Sequence, residues 1–379
     1  MDLLLGIIVG LLILVFLVVV HELGHAIVAL RNGVVVEEFG IGFPPRAWGK
    51  KLKNGMLFSL NYLPLGGFVK LQGENDAAAK KGDYGAASFW VKTKILFAGV
   101  FINWIVAAIL LSVLAVTGLP KIVDNQFSIA SDTTDVSGPV QLLSLVDQYP
   151  AKQAGFEPYD KIVQFNGIDV TSTKQLIDYT TQYRGKTVDI VYQRGGQKLE
   201  KSVQLRDGDS ANFGATLAQQ ELTRSTWSAP IVGVVTTGQF TWVTLQGLGD
   251  LVGNFASGLA QKLSTNSETR SEGSQKINKA SDSVAGPVGI LGVIFPSARD
   301  AGLTQLVFLT AIISLTLAIM NVLPIPALDG GRWFLMTLYK VRKKELTKET
   351  EEKIVGISFL ILMGLVILVT VADVSKITH

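Results

Sequence analysis

The sequence contains no cysteine and only three histidines among its 379 residues. Without cysteine, disulfides, zinc ribbons and thiol catalysis are excluded, and any metal site must use His, Asp or Glu. Charged residues are also scarce, at 17%, which is low for a soluble protein. The net charge of +3 indicates no nucleic-acid partner. The length leaves room for a membrane core and a separate soluble domain.

Long apolar runs are abundant. Four of them are long enough to span a bilayer: Leu3–Leu30, Ile95–Leu119, Leu303–Leu323 and Ile354–Val371. We interpret the first as a retained transmembrane helix rather than a signal peptide, because Asp2 replaces the expected basic region and no small-residue cleavage site follows. The lipid bilayer is therefore the first predicted partner.

Basic residues concentrate in residues 31–94 and 332–353. The positive-inside rule places both stretches in the cytoplasm and both termini outside. A fifth uncharged run, Ile231–Gly249, would move the basic cluster after Arg332 outside if it spanned the membrane. We therefore expect helices over 229–263 that lie on the outer surface or pack against the bundle.

The remaining segments complete the predicted architecture. Residues 33–92 alternate apolar and polar positions between prolines and glycines, which indicates short strands and hairpins, either in a cytoplasmic loop or dipping into the membrane. Residues 125–228 read as an extracytoplasmic α+β domain with strand-like runs around a helix near Ser172–Tyr183. The fold class is a multi-pass α-helical membrane protein with four transmembrane helices, a membrane-associated β region and this inserted domain. The expected segments are 1–32 and 93–120 (helices 1 and 2), 264–302 (flexible Ser-rich linker and Gly-Pro loop), 303–340 (helix 3) and 341–379 (basic segment and helix 4).

The two internal histidines lie four residues apart in His21-Glu22-Leu23-Gly24-His25, at the end of the first apolar run. On a helix this spacing places two imidazoles on one face, and Glu22 beside them is a candidate general base for zinc-activated water. Ionisable groups in a membrane helix are costly and usually functional. The alternative is a pair of structural histidines at a helix end.

A hydrolytic zinc ion needs three protein ligands and one open position. With no cysteine and no further internal histidine, the third ligand must be a carboxylate. The best candidate is Asp329, which follows the third apolar run on the same predicted side as His21. Pro324 and Pro326 end that helix, and Gly330-Gly331 permit a tight turn. The alternative is an ordinary loop aspartate followed by turn glycines.

Together these motifs resemble the site-2 protease family of intramembrane zinc metalloproteases, in its bacterial regulator-of-sigma-E protease group. The resemblance rests on His21–His25 and on Asn321…Pro324-x-Pro326-x-Leu328-Asp329-Gly330-Gly331. The soluble block resembles a single PDZ domain of the bacterial branch through Tyr149–Phe156, Asp160-Lys161-Ile162 and Asn166-Gly167. Gly286-Pro287 resembles a family pair before the third helix.

The resemblance implies a zinc metalloendopeptidase that cleaves transmembrane segments, of anti-sigma factor or remnant signal peptide type. His21, His25 and Asp329 are the implied zinc ligands and Glu22 the catalytic base. The implied substrate-binding residues are Asn321 with neighbouring Pro324, and Met56, Phe58 and Leu60 in a β region thought to pair with unwound substrate.

The family also implies a place and a mode of regulation. The place is the bacterial inner membrane, with the active site toward the cytoplasm. The PDZ domain would act as a size filter that admits substrates already trimmed by another protease. The alternative from a different class is a catalytically silent scaffold that binds partners through the PDZ domain. Two departures from the family stand out: Glu157–Asp160 replaces a usual Gly-Asp, and Val100 stands where proline is frequent, three residues before a retained Asn103.

Overall fold

A computed structural model describes residues 2–75, 78–208, 212–264, 266–282 and 284–378. The helices are α1 (Asp2–Arg31), α2 (Phe89–Thr117), α3 (Pro150–Gln153), α4 (Thr173–Gln182), α5 (Ala229–Lys262), α6 (Ser267–Asp282), α7 (Pro287–Gly289), α8 (Phe295–Ala301), α9 (Leu303–Val322), α10 (Asp329–Val341) and α11 (Lys348–Thr378), with a π-helical turn at Ile290–Ile294. The strands are β1 (Val36–Lys51), β2 (Leu57–Leu71), β3 (Leu119–Pro120), β4 (Thr134–Leu145), β5 (Lys161–Phe165), β6 (Ile168–Asp169), β7 (Thr187–Arg194), β8 (Gln197–Gln204) and β9 (Ala215–Arg224).

Four helices within these ranges are long and apolar enough to cross a membrane: α1, α2, α9 and α11. Their side chains show why water is the wrong solvent for them. Leu360, Ile361 and Leu368 on α11 are each 69% exposed. A contiguous apolar surface of this kind is favourable only against lipid or another apolar partner. The four helices coincide with the four apolar runs of the sequence.

The chain divides into two compact units. One contains residues 1–110, 237–297 and 309–379, and the other contains residues 111–236 and 298–308. The first unit therefore holds α1, the β1–β2 sheet, α6, α10, α11 and most of α2, α5 and α9. The second unit holds the larger sheet.

The β1–β2 sheet of the first unit is bent so that one segment is paired on both edges. Phe39, Gly40 and Ile41 pair with Gly67–Val69 on one side and with Phe58–Leu60 on the other. Aromatic rings reinforce the pairing, since Phe58 stacks on Phe39 at 6.1 Å between centroids. This is the strand-rich region that the alternation within residues 33–92 predicts.

The second unit contains an antiparallel sheet in the order β3-β9-β4-β5-β7-β8, with β6 paired to β5. Fully buried side chains such as Leu142, Ile162 and Leu176 form its core with α4. Helix α4 begins after Ser172, whose side chain accepts a hydrogen bond from the Gln175 amide at 3.1 Å, as a favourable N-cap does. An α+β domain is present where the sequence predicts one.

The unusual Glu157–Asp160 stretch is held by a single arginine. Arg194 forms hydrogen bonds with both carboxylate oxygens of Asp160, at 2.7 and 2.6 Å, and with Glu157 at 2.6 Å. Asp160 is 1% exposed, so this bidentate pair is a well-placed charge-assisted contact. The residues that depart from the family pattern thus form hydrogen bonds that connect the end of β7 to the turn before β5.

One sequence prediction is wrong. Residues 264–302 were expected to be a flexible linker, but residues 267–282 form α6. Asn266 caps this helix by accepting a hydrogen bond from the Glu268 amide at 2.9 Å. A Cβ at Gly273 would lie 2.7 Å from the Gly258 carbonyl on α5, so the two helices pack closely at these glycines. Capping and helix packing outweigh the polar, Ser-rich composition.

Candidate metal centre

Helix α1 presents the two internal histidines on one face. The centroids of the His21 and His25 rings lie 4.8 Å apart with the rings nearly perpendicular, as residues four apart on a helix allow. The two residues are only 7% and 8% exposed. Imidazoles buried in an apolar helix need polar partners, and these come from α10 and α2.

Asp329 reaches the histidines because the chain turns sharply after α9. Leu328 has extended backbone angles and precedes the first turn of α10. A Cβ at Gly330 would overlap the carbonyl of Val322, and one at Gly331 would overlap the carbonyl of Ile325. Glycine is therefore required at both positions for steric reasons. The two glycines allow the Asp329 carboxylate to stand beside α1.

The three side chains converge to within a metal's bonding distance. Asp329 Oδ2 lies 3.1 Å from His21 Nε2 and 3.3 Å from His25 Nε2. The two Nε2 atoms are 3.1 Å apart. Zinc bonds of about 2.0–2.1 Å in tetrahedral geometry place neighbouring donors about 3.3 Å apart. The donor set therefore fits zinc, and in the described residues no other group of three His, Asp or Glu has such spacing.

Electrostatics favour an ionised carboxylate at this site. Burial raises the pKa of Asp329, but hydrogen bonds with His21 and His25 and their nearby charges outweigh it and hold the pKa well below its ordinary value. A metal-ligating carboxylate must be deprotonated. The Asp329 carboxylate meets this requirement.

Glu22 lies beside the donor set without belonging to it. Its side chain is half-buried and faces β2, where it interacts with the Val69 backbone. A Cβ at Gly67 would lie 3.8 Å from Glu22 Cγ, so the strand passes close to the carboxylate. The arrangement leaves Glu22 free of the three converging donors, as a general base requires.

Helix α2 contributes none of the three candidate metal-ligating side chains, yet it contacts both histidines. The Ile95 carbonyl accepts a 2.7 Å hydrogen bond from His25 Nδ1. A Cβ at Gly99 would lie 2.6 Å from His21 Nε2 and from His25 Nε2. Asn103 lies 3.5 Å from His21 Nδ1. Sequence reasoning assigned no role to Gly99 or Ile95, although a glycine inside an apolar helix is itself a sign of close approach.

The other predicted site residues lie in two places. Asn321 is in the last turn of α9, where its amide nitrogen donates to the Leu317 carbonyl at 3.0 Å, and Pro324 is exposed in the following turn. Met56 packs beside the apolar cluster that contains Val36 and Ile95. Phe58 stacks within the β1–β2 sheet, and Leu60 on β2 is 40% exposed.

Arg332, one turn after Asp329, anchors the start of α10. Its guanidinium contacts Glu74 at 2.9 Å and Glu351 at 3.5 Å, and it lies 5.7 Å from the centre of the Tyr84 ring. These contacts connect α10 to the loop after β2 and to the start of α11. The position of Asp329 therefore depends on more than the Gly-Gly turn.

Comparison with known proteins agrees with this geometry. The pattern of Peptidase family M50 matches residues 9–365. Relatives whose names include the words zinc metalloprotease come from Campylobacter jejuni (30% identity, 97% of this chain and 92% of the relative) and Clostridium perfringens (29%, 94% and 95%). The regulator of sigma-W protease RasP of Bacillus subtilis is 24% identical, over 95% of this chain and 96% of RasP.

A solved PDZ domain of an SdrC-like protein from Listeria monocytogenes is 25% identical, covering 24% of this chain and 94% of its own, with a TM-score of 0.19. Apolar spanning helices, a His-Glu-x-x-His motif and three side chains at zinc-compatible spacing define a membrane zinc metalloprotease of the site-2 type. The chain belongs to Peptidase family M50.

Proposed function

We propose that the protein is an intramembrane protease in which His21, His25 and Asp329 hold zinc and Glu22 is the general base. The observation that carries the proposal is the 3.1–3.3 Å convergence of three donors from α1 and α10. The substrates are transmembrane segments of membrane proteins, because lipid-exposed helices surround a site that soluble substrates would not reach.

The chain's own residues account for the proton transfers. When bound, zinc supplies Lewis-acid polarisation of a carbonyl and lowers the pKa of water. Glu22 takes the proton from the attacking water and returns it to the leaving amine nitrogen. The His25 Nδ1 hydrogen bond to Ile95 keeps Nε2 directed at the site, as partners of metal-ligating histidines do.

A helical substrate must unwind before cleavage, since its carbonyls are engaged in i→i+4 hydrogen bonds. Strand addition to the β1–β2 sheet would compensate the backbone groups that unwinding frees. Met56, Phe58 and Leu60 are the proposed contacts there. Asn321 and Pro324 are the proposed contacts at the end of α9, where the Asn321 side-chain oxygen accepts from substrate amides.

The four spanning helices run through the bacterial inner membrane, with the metal centre toward the cytoplasm and the domain of residues 125–228 outside. The positive charges of residues 31–94 and 332–353 support this orientation. The domain acts as a PDZ-type size filter for substrates trimmed by another protease. The RasP name of a relative supports regulatory substrates such as anti-sigma factors, and remnant signal peptides are the second class.

The decisive experiment compares Glu22→Gln with His21→Ala in purified protein, using a model transmembrane substrate and measuring zinc content. Glu22→Gln should keep zinc and lose about 10²–10⁴-fold in cleavage rate. His21→Ala should lose both zinc and cleavage. Glu272→Gln on α6, which is exposed, is the matched control. Wild-type cleavage by Glu22→Gln would refute the proposed base, and zinc-free wild-type protein would favour the scaffold alternative.

The size filter has its own test. Deleting residues 125–228 should let the enzyme cleave untrimmed substrates that the full chain rejects. The trimmed substrate is the control, and its cleavage should persist in the deletion variant. Selection that is unchanged by the deletion would contradict the filter.

A further inference from the structure

Asn103 on α2 has an unexplained buried oxygen beside the metal centre. The residue is 0% exposed, and its Oδ1 atom has no hydrogen-bond partner among the described residues. Its Nδ2 atom lies 3.5 Å from His21 Nδ1, at the limit of a hydrogen bond. A buried polar atom without a partner is rare and points to a group or an orientation that would satisfy it.

The chemistry of His21 identifies that orientation. If Nε2 binds zinc, the neutral imidazole carries its proton on Nδ1, which is then a donor. A donor at Nδ1 needs an acceptor, whereas Nδ2 of an amide only donates. The oxygen and nitrogen of an asparagine amide are interchangeable by a rotation of about 180°. Rotating Asn103 places Oδ1 against Nδ1–H and gives the orphan oxygen its partner.

We propose that Asn103 is a positioning residue of the metal centre, whose side-chain oxygen accepts a hydrogen bond from His21 Nδ1–H. The bond fixes the tautomer in which Nε2 is free to bind the metal. This inference rests on the proposed zinc ligation by His21 and deepens it. Asn103 touches neither substrate nor metal.

A comparison of the two histidines supports the assignment, because each would then have a hydrogen-bond partner at Nδ1. His25 Nδ1 is already paired with the Ile95 carbonyl at 2.7 Å, so one ligand has the backbone partner that metal-bound histidines usually have. Asn103 follows Ile95 by eight residues, about 12 Å along α2, and supplies the equivalent partner to His21. Both partners come from the α2 face that carries Gly99 between them.

Asn103 is also fixed in place. Ser314 on α9 donates a 2.8 Å hydrogen bond to the Asn103 backbone carbonyl, and both residues are fully buried. The backbone contact holds α2 against α9 at this level, while the side chain is directed to His21. The two contacts can therefore be removed separately, which makes the proposal testable.

The test uses Asn103→Leu, which removes the acceptor while keeping the branched shape, and Asn103→Asp, which keeps an acceptor. Zinc affinity is measured in detergent by competition with a chelator. The Leu variant should bind zinc about 10–100-fold more weakly, and the Asp variant should stay within a few-fold of wild type. Ser314→Ala is the control for helix packing and should bind zinc normally.

A spectroscopic readout separates positioning from general damage. The chain has only three histidines, so NMR of the ¹⁵N-histidine-labelled, zinc-loaded protein can follow the Nδ1–H proton of His21. In wild type and Asn103→Asp this proton should be hydrogen-bonded and protected from exchange with water, and in Asn103→Leu it should exchange faster. An unchanged exchange rate of this proton or an unchanged zinc affinity in Asn103→Leu would overturn the proposal. If His21→Ala retained full zinc affinity, the zinc assignment itself would fail instead.

Discussion

Replacing Gly99 with alanine measures how closely α2 approaches the two histidines. The new Cβ would lie 2.6 Å from Cε1 and Nε2 of His21 and 2.6 Å from Nε2 of His25. Carbon contacts are favourable at about 3.5–4.0 Å, so the rings must retreat by about 1 Å. The methyl group therefore occupies space that the donor atoms need.

The rings have little room to retreat. His25 is held through Nδ1 by the Ile95 carbonyl, and α1 cannot move away easily because it packs on α2 through Gly24, where a Cβ would lie 2.7 Å from the Ala98 carbonyl. A displacement of about 1 Å in a catalytic arrangement costs about 10²-fold in rate. Zinc affinity should fall alongside the rate, because the spacing of the donors changes.

Helix propensity acts in the opposite direction, which helps the interpretation. Alanine is favoured over glycine by about 0.8–1.0 kcal/mol in a helix interior, so α2 itself should gain stability. A fall in zinc content and cleavage of Gly99→Ala can then be assigned to the clash. Gly364→Ala on α11, where a Cβ meets nothing within 4 Å, is the matched control. Wild-type zinc content with cleavage within about 2-fold of wild type would refute the close approach of α2.

Three further predictions concern Arg332, Asp132 and Gly286. Arg332→Gln should destabilise the protein by about 1–3 kcal/mol in detergent unfolding, because the ion pairs of the guanidinium with Glu74 and Glu351 are lost; an unchanged midpoint would contradict this. Desolvation raises the pKa of Asp132, but hydrogen bonds from Ser228 and Thr226 outweigh it and lower the pKa to about 2. The stabilisation from Asp132 is therefore present above about pH 4 and is lost as the pH falls toward 2. The melting temperature of Asp132→Asn should therefore fall less than that of wild type over this pH range, and an equal fall in both proteins would exclude the contribution. Gly286→Ala should lower the melting temperature, because a Cβ would lie 2.7 Å from the Asp373 oxygen that accepts from Gly289 N; Gly292→Ala should not.

The proposed metal donors, which lie together in the structure, could be predicted from the sequence because so few alternatives exist. Two internal histidines at helical spacing and no cysteine leave a carboxylate as third ligand, and charge asymmetry favours Asp329. The four apolar helices could also be predicted, since length and hydropathy determine whether a segment can span a membrane. These features are local or depend on composition, so a single sequence contains them.

The role of α2 could not be predicted in the same way. Gly99 and Asn103 matter because of what lies opposite them on α1, and hydropathy shows only an apolar helix. The wrong linker prediction has the same origin. The polar composition of residues 267–282 favours disorder, whereas the packing of Gly273 against Gly258 is a tertiary contact. Sequence reasoning fails where a residue's role is set by a neighbour distant in the chain.

The α2 contacts also explain why a departure from the family pattern at Val100 does not disturb the convergence of His21, His25 and Asp329. Ile95, Gly99 and Asn103 repeat every four residues and share the helix face that meets the histidines. Val100 lies about 100° around the helix from Gly99, and Phe101, 64% exposed, points away. A proline at position 100 would remove a backbone hydrogen bond without adding a contact to the donors. Tolerance to substitution on α2 should therefore follow the distance from this face rather than hydrophobicity.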